Sequence, residues 1–158
     1  SCSSARSLPS RRRGEVLKFM GDGLQAIFPT EGREPEACQS ALGAAREAFG
    51  SLRRQNEARA QKGEDAIRFG LALHLGEVSY GNIGGANRQD FTVIGPAVNL
   101  SARLESLTGK LGRPVVLSEA FVRASGLKVP TLGSFDLKGV SGAQEVFGLA
   151  EGDVLAAW

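Results

Sequence analysis

Five apolar residues alternate without a miss between Ile67 and Leu75: Ile67, Phe69, Leu71, Leu73 and Leu75. A period of two puts all five on one face of an extended chain, which predicts a strand over 67–75 with that face in a core. The run before it has another period. From Pro35 to Ala60 the residues Ala37, Ala41, Ala44, Ala45, Ala48, Phe49 and Leu52 fall three and four apart. That spacing predicts a helix with Pro35 in its first turn. A strand with one face in a core needs a cover over that face. A chain of 158 residues holding both periods is therefore expected to fold as one α+β domain.

The rest of the chain fits that class. Glu15–Met20 and Leu24–Phe28 are short apolar runs joined through Gly21-Asp22-Gly23, a strong hairpin signal because Asp-Gly accepts the positive φ of tight turns. Further strands are expected over 77–83, 91–94, 115–117, 133–137 and 144–149. A helix is expected from Pro96 to about Thr108, and a short one from Ser118, a suitable N-cap, to near Gly126. The expected order is β-β-α-β-β-α-β-α-β-β, an antiparallel-rich sheet with helices on one face. The expected divisions are a disordered or aberrant flank over 1–13, a domain over 14–150 and a C-terminal tail over 151–158.

Composition narrows the function classes. Residues 1–13 hold four arginines and no acid, leaving 15 basic against 17 acidic residues in the body. A slightly acidic body argues against nucleic acid as the main partner, and the Arg11–Arg13 run reads as a solvated flank. No apolar run approaches the ~20 residues that span a bilayer. Cys2 and Cys38 make neither a disulfide framework nor a zinc pattern, so a reducing, cytoplasmic setting is expected. There is no GxxxxGK[ST] loop, and no GxGxxG follows a strand. The sole histidine, His74, sits in the strand alternation opposite Leu73 and Leu75 and reads as structural. Cys38 reads as packing.

Other residues carry more. Asp22, between two glycines at a hairpin tip, is either a plain turn aspartate or a ligand for a hard cation that approaches unobstructed. Lys18 lies four residues earlier and can bring an ammonium to the same turn. Asn99 and Arg103 are four apart on an expected helix and leave one face. They are either a polar face, with Arg103 paired to a carboxylate, or a pair that holds ribose and phosphate oxygens near a helix N-terminus.

The strings VLKFMGDGLQAIFP (16–29) and HLGEVSYGNIGGANRQDFTVIGPAVNLSARLESLTG (74–109), with a late LKGV, closely resemble the catalytic domain of the class III adenylate/guanylate cyclases. The resemblance runs from Gly14 to about Leu149 and implies a ferredoxin-like core that works as a homodimer with active sites at the interface. It implies conversion of ATP to cyclic AMP and pyrophosphate with two ions, Mg2+ or Mn2+, and an upstream sensor domain in a longer chain. Carried over residue by residue, Asp22 is a metal ligand, and Lys18 and Thr92 read the purine. Asn99 and Arg103 orient the ribose and stabilise the transition state, and Lys138 binds the triphosphate. Threonine at 92 looks like a bacterial subgroup that favours adenine. Nothing in 1–13 resembles the FADIxGFT string with which the family begins. An N-terminally truncated domain lacking its first strand, loop and one metal aspartate is therefore expected, and a catalytically inactive nucleotide-binding or dimerisation module is the alternative.

Overall fold

A computed structural model describes residues 15–20, 23–82 and 91–156. In chain order the elements are β1 (Glu15–Met20), β2 (Gly23–Ile27), α1 (Glu34–Gln61), β3 (Leu71–Leu73), β4 (Ser79–Asn82) and β5 (Phe91–Ile94). They continue with α2 (Pro96–Glu105), α3 (Leu107–Leu111), β6 (Val115–Ser118), α4 (Glu119–Ser125), β7 (Thr131–Phe135), β8 (Gln144–Leu149) and α5 (Glu151–Ala156). The main sheet has the order β3-β6-β8-β7, with β3 parallel to β6 and the other pairs antiparallel. β1 and β2 form an antiparallel hairpin from Glu15–Ile27 to Met20–Gly23, as the Gly-Asp-Gly signal predicts. β4 and β5 form another.

β6 organises the core. Its four residues are all buried, and Val115, Val116 and Leu117 alternate between two apolar clusters. Val115 and Leu117 join Cys38, Leu42, Phe49 and Leu52 of α1 and Phe121 of α4. Val116 joins Leu104 and Leu107 with Val146 of β8 and Leu137. A strand covered on both faces reads as a continuous apolar run, and VVL is one. The α+β class and the antiparallel-rich sheet hold. The expectation of helices on one face meets a sheet covered on both: α1, α4 and α5 on one side, α2 and α3 on the other.

Three expected segments differ in extent. The strand expected over 67–75 pairs only over Leu71–Leu73, where its ladder begins with Leu71 N–H donating to the Pro114 carbonyl at 2.9 Å. Upstream, the Asn56 side chain satisfies both backbone groups of Ile67, accepting from its N–H at 2.8 Å and donating to its carbonyl at 2.9 Å. The helix expected to Thr108 is two helices. At the break, Ser106 Oγ donates to the Arg103 carbonyl at 2.7 Å and Thr108 Oγ1 to that of Glu105 at 2.8 Å, the local bonding by which such side chains compete with a helix. Residues 151–156, expected as a tail, form α5, whose Val154 is buried in the α1 cluster.

Candidate active site

α2 is the element that presents the candidate residues. Gly95 precedes it with φ of 147°, Pro96 fills its first turn, and no side chain caps it. Leu100 and Leu104 anchor one face in the second cluster. Asn99 and Arg103 are exposed on the same helix, one turn apart. Among the described residues no carboxylate pairs with Arg103. Its Nε donates instead to the Lys138 carbonyl at 3.1 Å, across 35 residues of sequence.

Lys138 sits on a fixed turn. Leu137 before it is buried, Gly139 after it has φ of 80°, and Val140 N–H closes the turn on the Leu137 carbonyl at 3.0 Å. A residue with a Cβ is strained at that φ, so glycine follows Lys138 for a backbone reason. At the far end Gln144 Nε2 donates to the carbonyls of Ser141 and Gly142 at 3.3 and 3.2 Å. The exposed Lys138 side chain therefore leaves a turn whose carbonyl holds Arg103. Two basic residues thus belong to elements joined by one hydrogen bond, and both are exposed, a combination suited to a polyanion.

The other candidates are placed by their strands. Lys18 is on β1 opposite Gln25, beside a register shift between Val16 and Lys18. Thr92 is on β5 opposite Gly81. β1 lies against β5, and β5 against α2, so the elements carrying Lys18, Thr92, Asn99 and Arg103 are consecutive neighbours. Asp22 lies outside the described residues. Among those described, no three His, Cys, Asp or Glu side chains gather to hold a metal ion.

One participant was invisible in the sequence. It is the Lys138 main-chain carbonyl, not its side chain, that touches Arg103, and only the glycines at 139 and 142 hinted at a shaped loop. His74 is half-buried beyond β3, its Nδ1 2.8 Å from Ser118 Oγ, and burial holds its pKa below the ordinary value. Burial, with Glu34 adding to it, raises that of the Cys38 thiol, an inert packing residue. No helix among the described residues is long and apolar enough to cross a membrane.

No family model matches the chain. It is similar to an adenylate cyclase of Anabaena cylindrica, 32% identical over 139 residues, covering 87% of this chain and 26% of that protein. It is also similar to adenylate cyclase 1 of Rhizobium meliloti, 30% identical over 142 residues, covering 85% and 20%. The chain thus spans between a fifth and about a quarter of the length of these two curated relatives. Among solved structures, the guanylyl cyclase Cya2 superposes with a TM-score of 0.72 at 30% identity, covering 85% of this chain and 68% of that one. With the long shared motifs, the shared architecture and this coverage of a solved relative, the chain belongs to the class III adenylyl/guanylyl cyclase catalytic-domain family.

Proposed function

We propose that the chain is the catalytic domain of an adenylate cyclase, closing ATP to 3′,5′-cyclic AMP with loss of pyrophosphate. The observation that carries this reading is the hydrogen bond from Arg103 Nε to the Lys138 main-chain carbonyl, which ties α2 to the Lys138 turn, with Asn99 one turn away on α2. The reaction moves the α-phosphorus onto the substrate's own 3′-hydroxyl, so it demands positioning and charge neutralisation more than covalent work. Arg103, oriented through Nε, offers its terminal N–H groups to the reacting phosphate. Lys138 meets the triphosphate and Asn99 the ribose. Lys18 donates to an adenine ring nitrogen, and the Thr92 hydroxyl accepts from the exocyclic amine.

The divalent ions, Mg2+ or Mn2+, enter the proposal through Asp22 alone, and a full site calls for carboxylates beyond those described. A homodimer with the site at its interface is part of the same reading, as are a cytoplasmic setting and an upstream sensor. Leu24 and Ile94 on the hairpin strands and Val78 just before β4, 54%, 53% and 41% exposed, support a partner surface there.

The test is chromatographic detection of cyclic AMP from ATP, with calorimetric titration of a non-cyclisable ATP analogue alongside. Product formed by the parent and lost in Arg103→Ala supports the proposal. Analogue binding without turnover favours the inactive nucleotide-binding module.

A further inference from the structure

The segment between β3 and β4 is wedged between two parts of the fold. On one side is the Ser118 corner, where β6 ends and α4 begins. Ser118 Oγ accepts from Phe121 N–H at 3.2 Å as the cap of α4, and is 2.8 Å from His74 Nδ1. The ring and the hydroxyl share one hydrogen bond, and which of them donates follows the imidazole tautomer. On the other side is the first turn of α2. A methyl group built on Gly76 lies 2.7 Å from His74 Nε2 and 2.8 Å from Ala97 Cβ, closer than such atoms pack. A methyl on Gly95 meets the Glu77 carbonyl at 3.5 Å and Val78 Cα at 3.7 Å. The contacts thus run from Ser118 to the His74 ring, from the ring to the bare Gly76 backbone, and from there to Ala97. Asn99 and Arg103 follow on that helix.

We propose that His74 is a positioning residue for α2: pinned by Ser118, its ring backs the Gly76–Ala97 contact and sets where Asn99 and Arg103 stand. This rests on the reading of those two residues as the groups that act on ribose and phosphate. His74 touches no substrate. A ring that only fills space contributes to stability alone. A positioning ring also governs turnover in the folded protein, because a small displacement of a reacting group costs rate steeply. Substrate affinity drawn from Lys18, Thr92 and Lys138, on other elements, changes less.

The experiment compares the parent chain with His74→Ala, His74→Asn and Gly76→Ala, at a temperature where circular dichroism shows each folded. Steady-state kinetics with ATP are measured with amide hydrogen exchange. In His74→Ala, kcat is expected to fall about tenfold or more with KM within about threefold. Exchange is expected to accelerate at the amides of 100–104 more than in α4. Asparagine places a polar atom near the Nδ1 position, so His74→Asn is expected to recover most of both. If His74→Ala does not fold, Gly76→Ala, which keeps the Ser118 bond and crowds the same contact, is expected to show the same split. Unchanged kcat, or an asparagine variant no better than alanine, overturns the proposal. Should the parent cyclise nothing, it is the adenylate cyclase reading that fails. Exchange in α2 then still decides whether His74 holds that helix.

Discussion

Arg103 divides its donors, Nε to the Lys138 carbonyl and the terminal groups to the exterior. Lysine has no such fork, so Arg103→Lys is expected to lose orientation as well as charge spread. Both Arg103→Ala and Arg103→Lys should lower kcat about ten- to a hundredfold, the worth of one charged hydrogen bond, with alanine the worse. Single-turnover kinetics with ATP check this. Base choice belongs to the same scale, since the chain resembles adenylate and guanylyl cyclases alike. If Lys18 donates to adenine and Thr92 accepts from its amine, Lys18→Glu with Thr92→Cys is expected to lower ATP use and raise relative GTP use. An unchanged ATP to GTP ratio removes both residues from the purine. The sole histidine gives a pH test. Burial holds the His74 imidazole below its ordinary value near 6.5, so the unfolded chain binds that proton more readily than the folded one. Stability at that site is full above the ordinary value and falls as pH drops through it. Urea midpoints between about pH 7 and 5 should decline more in the parent than in His74→Gln, which lacks the titration.

Elements were legible where a local signal settles them. Ser118 reads as an N-cap and is one, and Pro35 opens α1 as its fixed φ allows. Lengths were less legible, because a period of two says which residues share a face but not how far a partner strand reaches. β6 offers four residues, and the Asn56 side chain replaces a strand at Ile67. Of the site, residue types and spacing on α2 were readable. The Lys138 carbonyl contact was not, since nothing local connects residues 35 apart. Close packing between elements was equally hidden. A methyl on Gly70, just before β3, lies 2.0 Å from Thr108 Oγ1 and 2.8 Å from Thr108 Cβ on α3. Gly70→Ala is thus expected to destabilise by about 1–3 kcal/mol, the usual cost of overpacking. Adding Thr108→Ala removes the nearer atom and should restore part of that loss in urea denaturation. Additive losses in the pair place the crowding elsewhere.

At the scale of the whole molecule, among the described residues the two hairpins stand apart from the main sheet in their hydrogen bonding, with β1 lying against β5. Leu24 of β2 and Ile94 of β5, with Val78 just before β4, leave large apolar side chains in water on these strands. Singly exposed apolar residues are ordinary. Two on neighbouring hairpins that also carry Lys18 and Thr92, with Val78 next to one of them, link the surface to the site. In the proposed dimer, a second copy seated there would cover the apolar groups and close the nucleotide against solvent, strengthening each charged contact. Ile94→Asp with Leu24→Asp puts two carboxylates into such an interface, where unpaired burial is costly. The proposed dimer is therefore expected to dissociate in sedimentation velocity, with far-ultraviolet circular dichroism unchanged. Specific activity should fall with it and depend on protein concentration more steeply than in the parent. A parent that sediments as a monomer throughout, with product formation strictly proportional to protein, would place the complete site within one chain.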